Sequence, residues 1–386
     1  MTRSGVERIR VPSLSREDLK GREKMLRDGG EKEEREGLTW VGRAEWAGRT
    51  VRTARIKVNA EEGEAAYHCM SKTVNGERLF DDIAKEILRR QLWLVAEFCG
   101  VQIITYAILS NHFHVLVQVP RKAAVADAEL LRRFALLHPK PTRYQVLRLD
   151  VIRAVLTADP CSDTEAARLA GEWRRRQLAL MGDVSAFMRL LKQRFAIWFN
   201  RTHHRFGPLW CDRFKSVLLE GKPRLLETMA AYIDLNPVRA GLVADPKDYR
   251  FCGYAEAVGG HKLARLGLQF IAGGDWSAAQ ADYRQCLFGS GADAREGRAN
   301  ITPAALQQVL KQQGKLPLSV VLRCRIRYFN DGAVLGGRAF VERHVAKYRD
   351  RRHRSGRTAP RPLPPIADWA GEEISALRAL RTSAFG

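Results

Sequence analysis

No stretch of the 386 residues approaches the run of about 18 uncharged apolar residues that a membrane span requires. The opening residues, Met1 to Arg8, carry charge without an apolar core behind it, so a secretory signal is not expected. Cysteine is sparse as well. The seven residues stand at 69, 99, 161, 211, 252, 286 and 324 and never form a CxxC pair. An odd, scattered set argues against a disulfide framework or a zinc ribbon and for reduced thiols in a cytoplasm. There is no internal repeat and no low-complexity core, and 45% hydrophobic with 28% charged residues is a globular composition. Acidic groups are the last shortfall: 43 Asp+Glu face 65 Lys+Arg, which leaves a net charge of +22. Such an excess points to a polyanionic partner. Nucleic acid is the expected one, because neutralised phosphates release their counterions. An anionic membrane surface would need a clean basic amphipathic helix, and none is evident.

The charge pattern and the apolar periodicity divide the chain. Residues 1–55 mix charges of both signs with few large apolar groups and read as an extension. A compact domain is expected over 56–260. Within it, 66–73 reads as a strand followed by an Asn75-Gly76 turn, and 82–100 as a helix stopped by Gly100. Two strands are expected at 101–109 and 112–119, then an Ala/Leu/Arg-rich helical insertion over 121–180 broken near Pro139-Pro141 and Asp159-Pro160. A further helix covers 184–199, a strand 209–219, and a helix opened by Pro223 closes at Asn236 ahead of Pro237. Residues 261–386 form a C-terminal extension, helical over about 301–348, with a basic, Pro-rich tail.

Two patterns carry chemistry. In His112-Phe113-His114 the alternation of a strand puts both imidazoles on one face and Phe113 on the other. Two histidines so spaced can reach one metal ion; they can equally be ordinary core or surface residues. In the helix from Leu225, Tyr232 and Asn236 are four apart and share a face, and the plain alternative is a core aromatic beside a helix stop. Between these patterns, basic and aromatic residues alternate from Lys192 to Lys215, which suits phosphate contacts and base stacking; the aromatics also suit a core.

Taken together the blocks resemble a family. Residues 106–117, containing Leu109-Ser110-Asn111-His112-Phe113-His114, closely resemble the HUH strand of single-tyrosine transposases. Residues 232–243, opening Tyr232-Ile233-Asp234-Leu235-Asn236-Pro237, look like the tyrosine helix of their REP-associated branch. Phe199-Asn200-Arg201, the segment 207–216, Tyr67-His68, Asn75-Gly76, Phe80-Asp81 and Asp248-Tyr249 fit the same branch, so the resemblance covers about 66–254.

It implies an α+β fold: a ferredoxin-like (RRM-like) antiparallel sheet with helices packed on one face, a helical insertion and a C-terminal extension. It further implies that His112, His114 and Asn236 hold Mg2+ or Mn2+ and that Tyr232 is the nucleophile. The expected activity is cleavage and rejoining of single-stranded or hairpin DNA at palindromic repeats through a 5′-phosphotyrosine. Arg201, Arg205, Arg213 and Lys215 are the expected DNA contacts, the last two placed two apart on one strand. The location implied is cytoplasmic and nucleoid-associated, and both a monomer and a homodimer exchanging the tyrosine helix occur in the family. The competing expectation is a domesticated protein that recognises such repeats without cutting them.

Overall fold

The computed structural model describes residues 55–59, 61, 63–139, 143–157, 165–288, 334–350, 361–362 and 375–376. The charged N-terminal extension, the segment 301–333 and most of the basic tail lie outside the described residues.

The first strand, β1 (Ala65–Lys72), ends in a tight turn at Val74–Gly76. Asn75 and Gly76 both take left-handed φ there, +52° and +72°, which accounts for the Asn-Gly pair. Helix α1 (Asp82–Cys99) is capped by the Asp81 carboxylate, which accepts from the Ala84 amide at 2.7 Å, and is closed by Gly100 in the left-handed region. Strands β2 (Gln102–Ile108) and β3 (His112–Val119) follow as an antiparallel pair. The segment after β3 carries α2 (Asp127–Leu137), α3 (Arg143–Thr157) and α4 (Glu165–Leu178). It packs on the α1 side of the molecule, where Arg132 pairs with Glu97 and Gly182 donates its amide to the Cys99 carbonyl. Helix α5 (Val184–Thr202), capped by Asp183, leads to β4 (Lys215–Leu219).

This strand is shorter than the 209–219 expected from sequence. Before it, the Phe214 carbonyl accepts from Arg55 at 2.6 Å and the Asp212 carbonyl from Lys192 at 2.7 Å. Side chains take the acceptors a ladder would use, so Arg213 lies in a bend and only Lys215 is on the strand.

Helix α6 (Pro223–Asp234) ends two residues earlier than Asn236. A new turn, α7 (Asn236–Arg239), starts there, and Pro237 sits in its first turn, where a missing N–H costs nothing. Beyond it come α8 (Gly253–Val258), α9 (Lys262–Ala272) and α10 (Trp276–Phe288), then β5 (Val334–Gly336), α11 (Arg338–Asp350) and the short strands β6 (Arg361–Pro362) and β7 (Ser375–Ala376).

Among the described residues the strands join in one sheet, in the order β2-β3-β1-β4-β5-β7-β6. Neighbours among the first four are antiparallel, whereas β5 runs parallel to β4. The architecture is therefore α+β with a mixed sheet. Alternation gives the sheet two unlike faces. One carries Phe113, Val115 and Val117 and is covered by α1 and α5, with Phe113 and Phe195 both meeting Trp210 at ring separations of 5.6 and 5.8 Å. The other carries His112 and His114, and it is covered as well, by α6, whose Asp234 accepts from Thr105 of β2 at 2.8 Å. Helices thus lie on both faces, not on one. Two of the later helices, α9 and α10, pack onto this second side, with Tyr283 of α10 donating to Asp234. Helix α9 crosses β2 so closely that a Cβ on Gly267 would stand 2.5 Å from the Ile103 and Ile104 carbonyl oxygens.

Candidate functional site

The register of the sheet places the histidines. On β1, Met70 stands opposite His114 and Lys72 opposite His112, so His68 is the diagonal neighbour of His114 on the same face. That diagonal is bridged: His68 Nε2 and His114 Nδ1 are 2.9 Å apart, with the rings stacked at 5.1 Å. The His112 ring stands nearly perpendicular to that of His114, also at 5.1 Å, and its Nδ1 is 2.6 Å from the side-chain oxygen of Asn111. A carboxamide oxygen only accepts, so His112 carries its proton on Nδ1 and turns an unprotonated Nε2 outward.

Burial sets the charge of all three rings. It lowers His68 to about 3 and, with help from Lys72, His112 to about 4. His114 is driven well below the ordinary histidine value by burial first and by its neighbours His112, His68 and Arg239 second. All three are neutral near pH 7.

These residues fit a divalent cation. Metal-binding imidazoles must be deprotonated, and their second nitrogen is ordinarily held by a polar neighbour. Both conditions are met at His112, and at His114 the Nδ1 is likewise engaged, leaving Nε2. Among the described residues no group of three or more His, Cys, Asp or Glu side chains is arranged to hold a metal. Asn236 is buried, and its Nδ2 donates back to the carbonyls of Tyr232 and Ile233 at 3.2 and 3.0 Å. The amide nitrogen is thereby fixed on its own helix, and Oδ1 is the atom left for a ligand role.

Tyr232 is brought to the histidines. Its ring meets those of His114 and His68 edge-on, each at 5.9 Å. Arg239, one α7 turn on, lies 4.6 Å above the phenol ring and donates to the Tyr232 carbonyl at 2.5 Å. The side chain is fully buried, and burial, partly opposed by Arg239, pushes the phenol up to about 12. In this arrangement the hydroxyl stays protonated at neutral pH.

Beneath the tyrosine, Asp234 anchors the helix. Its carboxylate, wholly buried, accepts from Thr105 of β2, from Tyr283 of α10 at 2.6 Å and from the Tyr254 amide of α8 at 3.2 Å. Burial raises it to about 7 against the lowering effect of those donors.

The four basic residues expected to contact DNA fall in different settings. Arg201 is exposed on the last turn of α5, and Arg205 is half-buried and pairs with Glu77 at 3.6 Å. Arg213 is exposed in the bend before β4. Lys215 is exposed and in register with Met70, hence in the same cross-strand row as His114. Sequence reasoning assigned no role to His68, Asn111, Asp234 or Arg239. His68 stood inside a quoted motif, yet which ring it would touch depends on the pairing register.

No helix among the described residues is long and apolar enough to cross a membrane. No family model and no curated protein matches the chain. Among solved structures it is similar to that of a REP-associated tyrosine transposase bound to a REP hairpin, at 15% identity, with 55% of this chain and 87% of that one covered and a TM-score of 0.32.

Proposed function

We propose that the protein is a DNA strand transferase of the single-tyrosine HUH kind, acting on single-stranded or hairpin DNA. The observation that carries the reading is the meeting of His112, His114 and Tyr232, drawn from segments far apart in the chain onto one face of one sheet. The order β2-β3-β1-β4, with α1 and α5 as crossovers, supports a ferredoxin-like core under that face.

In this reading His112 and His114 supply neutral nitrogen ligands and Asn236 a neutral oxygen to Mg2+ or Mn2+. When bound, the ion would neutralise charge on the scissile phosphate. Tyr232 Oη attacks the phosphorus, the bond to the 3′ oxygen breaks, and the phenolic proton ends on that oxygen. A 5′-phosphotyrosine and a free 3′-hydroxyl result, and the phosphoester bond energy is retained for rejoining. Because no ligand is anionic, the site does not repel the incoming phosphate. Lys215, in the His114 row, together with Arg201, Arg205 and Arg213, provides positive charge along the strand's path. Arg239 holds the Tyr232 ring and carbonyl, and Asp234 fixes the turn from which both project.

A labelled single-stranded hairpin incubated with the protein and Mn2+ or Mg2+ should yield a covalent adduct that survives denaturation. Tyr232→Phe should abolish it while leaving hairpin affinity intact. Absence of an adduct with every hairpin taken from flanking genomic DNA would leave the second reading, a repeat-binding protein that does not cut. The deep burial of Tyr232 favours that alternative.

A further inference from the structure

Between α5 and β4 the chain makes a short loop, His203 to Pro208, and its Phe206 is the most exposed large apolar side chain among the described residues. Phe195 and Phe199 are buried, and Trp198 and Trp210 pack against the same core. Phe206 is 97% exposed. The loop holding it out is tied down on both sides. The Arg205 amide donates to the Asn200 carbonyl at 2.9 Å, and the Asn200 side chain donates to the Gly207 carbonyl at 2.9 Å. His203 stacks on Phe199 with ring centres 4.1 Å apart. His204 adopts a left-handed φ of +48° and Gly207 one of +89°, so the backbone turns sharply on either side of the phenyl group.

The loop also belongs to the end of the sheet where His112 opens β3. Just past it, the Leu209 carbonyl accepts from Val74, and the Cys211 amide donates to the Lys72 carbonyl. Lys72 is the cross-strand partner of His112. On the other side of the same turn, Asn111, which holds His112 Nδ1, donates its side-chain amide to the Gly76 carbonyl at 2.9 Å. Arg205 pairs with Glu77 of that turn. Arg201, His203 and His204, all exposed, lie just before the ring in the chain.

We propose that Phe206 is a stacking platform for an unpaired nucleobase of the strand whose phosphate lies at His112 and His114. The inference rests on the strand-transferase reading and names what that site grips next to the cleaved bond. An exposed, rigidly presented π-face within basic surroundings is the arrangement that holds single strands with little regard to sequence. A paired base keeps its faces inside the duplex stack and cannot be gripped this way.

The test measures binding of fluorescein-labelled oligothymidylate, and of a duplex of equal length, by anisotropy across a salt series. Phe206→Ala should weaken oligothymidylate binding on the order of 10-fold and leave the salt slope and duplex binding unchanged. Phe206→Trp should restore the affinity. Arg201→Ala should instead flatten the salt slope, by about one. The side chain makes no core contact, so Phe206→Ala should melt with the wild type. If wild type binds and Phe206→Ala binds equally well, or loses duplex affinity to the same extent, the platform is disproved while the transferase reading stands. If wild type binds neither probe, both fall.

Discussion

The two faces of the central sheet are built from alternate residues of the same strands, and they differ in kind. The Phe113 face is filled by aromatic and branched side chains from α1, α5 and β3, and its cohesion comes from area and shape. The histidine face buries His68, His114, Asp234 and Asn236, leaves His112 half-buried, and holds its polar groups by directed bonds: His68 to His114, His112 to Asn111, Asp234 to Thr105, Tyr254 and Tyr283. Buried polar groups cost free energy unless partnered, so a chain seeking only stability would not spend a whole face on them. One face makes the fold. The other holds partnered polar groups at some cost in stability.

That contrast can be broken by substitution. Phe113→Ala removes a ring from a fully packed site and should cost about 3–5 kcal/mol in denaturant unfolding; a loss under about 1 kcal/mol would mean that the apolar face is not what holds the sheet. Asp234→Ala strips the acceptor from Thr105, Tyr283 and the Tyr254 amide, and should cost about 3 kcal/mol, measured the same way. Its loss should exceed that of Asp234→Asn, which can still accept the Tyr283 hydroxyl proton. His68→Leu should differ in sign or nearly so. The His68 Nδ1 finds no hydrogen-bond partner among the described residues, so a leucine should leave stability within about 1 kcal/mol. Calorimetric Mn2+ affinity, however, should fall by about 10–100-fold as His114 loses its positioning partner.

The two faces should also differ in pH response. His68 and His112 are lowered in the fold, to about 3 and about 4, from an ordinary histidine value of 6.5. The unfolded chain therefore binds their protons first. Stability from these groups is complete above pH 6.5 and drains away as pH falls toward those folded values. Chemical unfolding followed between pH 7 and 4 should show this slope, and His68→Leu should flatten it. Phe113→Leu should lower the whole curve without changing its slope.

The histidine face was legible in part. His112 and His114 share a face because a strand alternates, and Asn75-Gly76, Gly100 and Asn236-Pro237 mark turns by their backbone preferences alone. What lay hidden depended on contacts between distant segments. His68 meets His114 only because β1 and β3 pair in one register, and a one-residue slip would point it into the other face. Arg213 left its expected strand because side chains of Arg55 and Lys192 claimed neighbouring carbonyls. The helices over 262–288 gave little warning, since their role is to roof Asp234 and β2 rather than to carry a motif of their own. A parallel strand, β5, docking on β4 from more than a hundred positions away cannot be read from local pattern.

The close crossing of α9 over β2 at Gly267 bears on how copies of this chain can associate. β2 is the outermost strand on its side, and such a border is where sheets of different molecules zip together into aggregates. Here Phe251 and Cys252 bond the strand's far end, at Ile108 and Ala107, and α9 sits on the carbonyls of Ile103 and Ile104 nearer its start. The border is sealed along its length. A larger residue at 267 would lift that seal, and the expected result is a protein that clumps on storage well before it loses its fold.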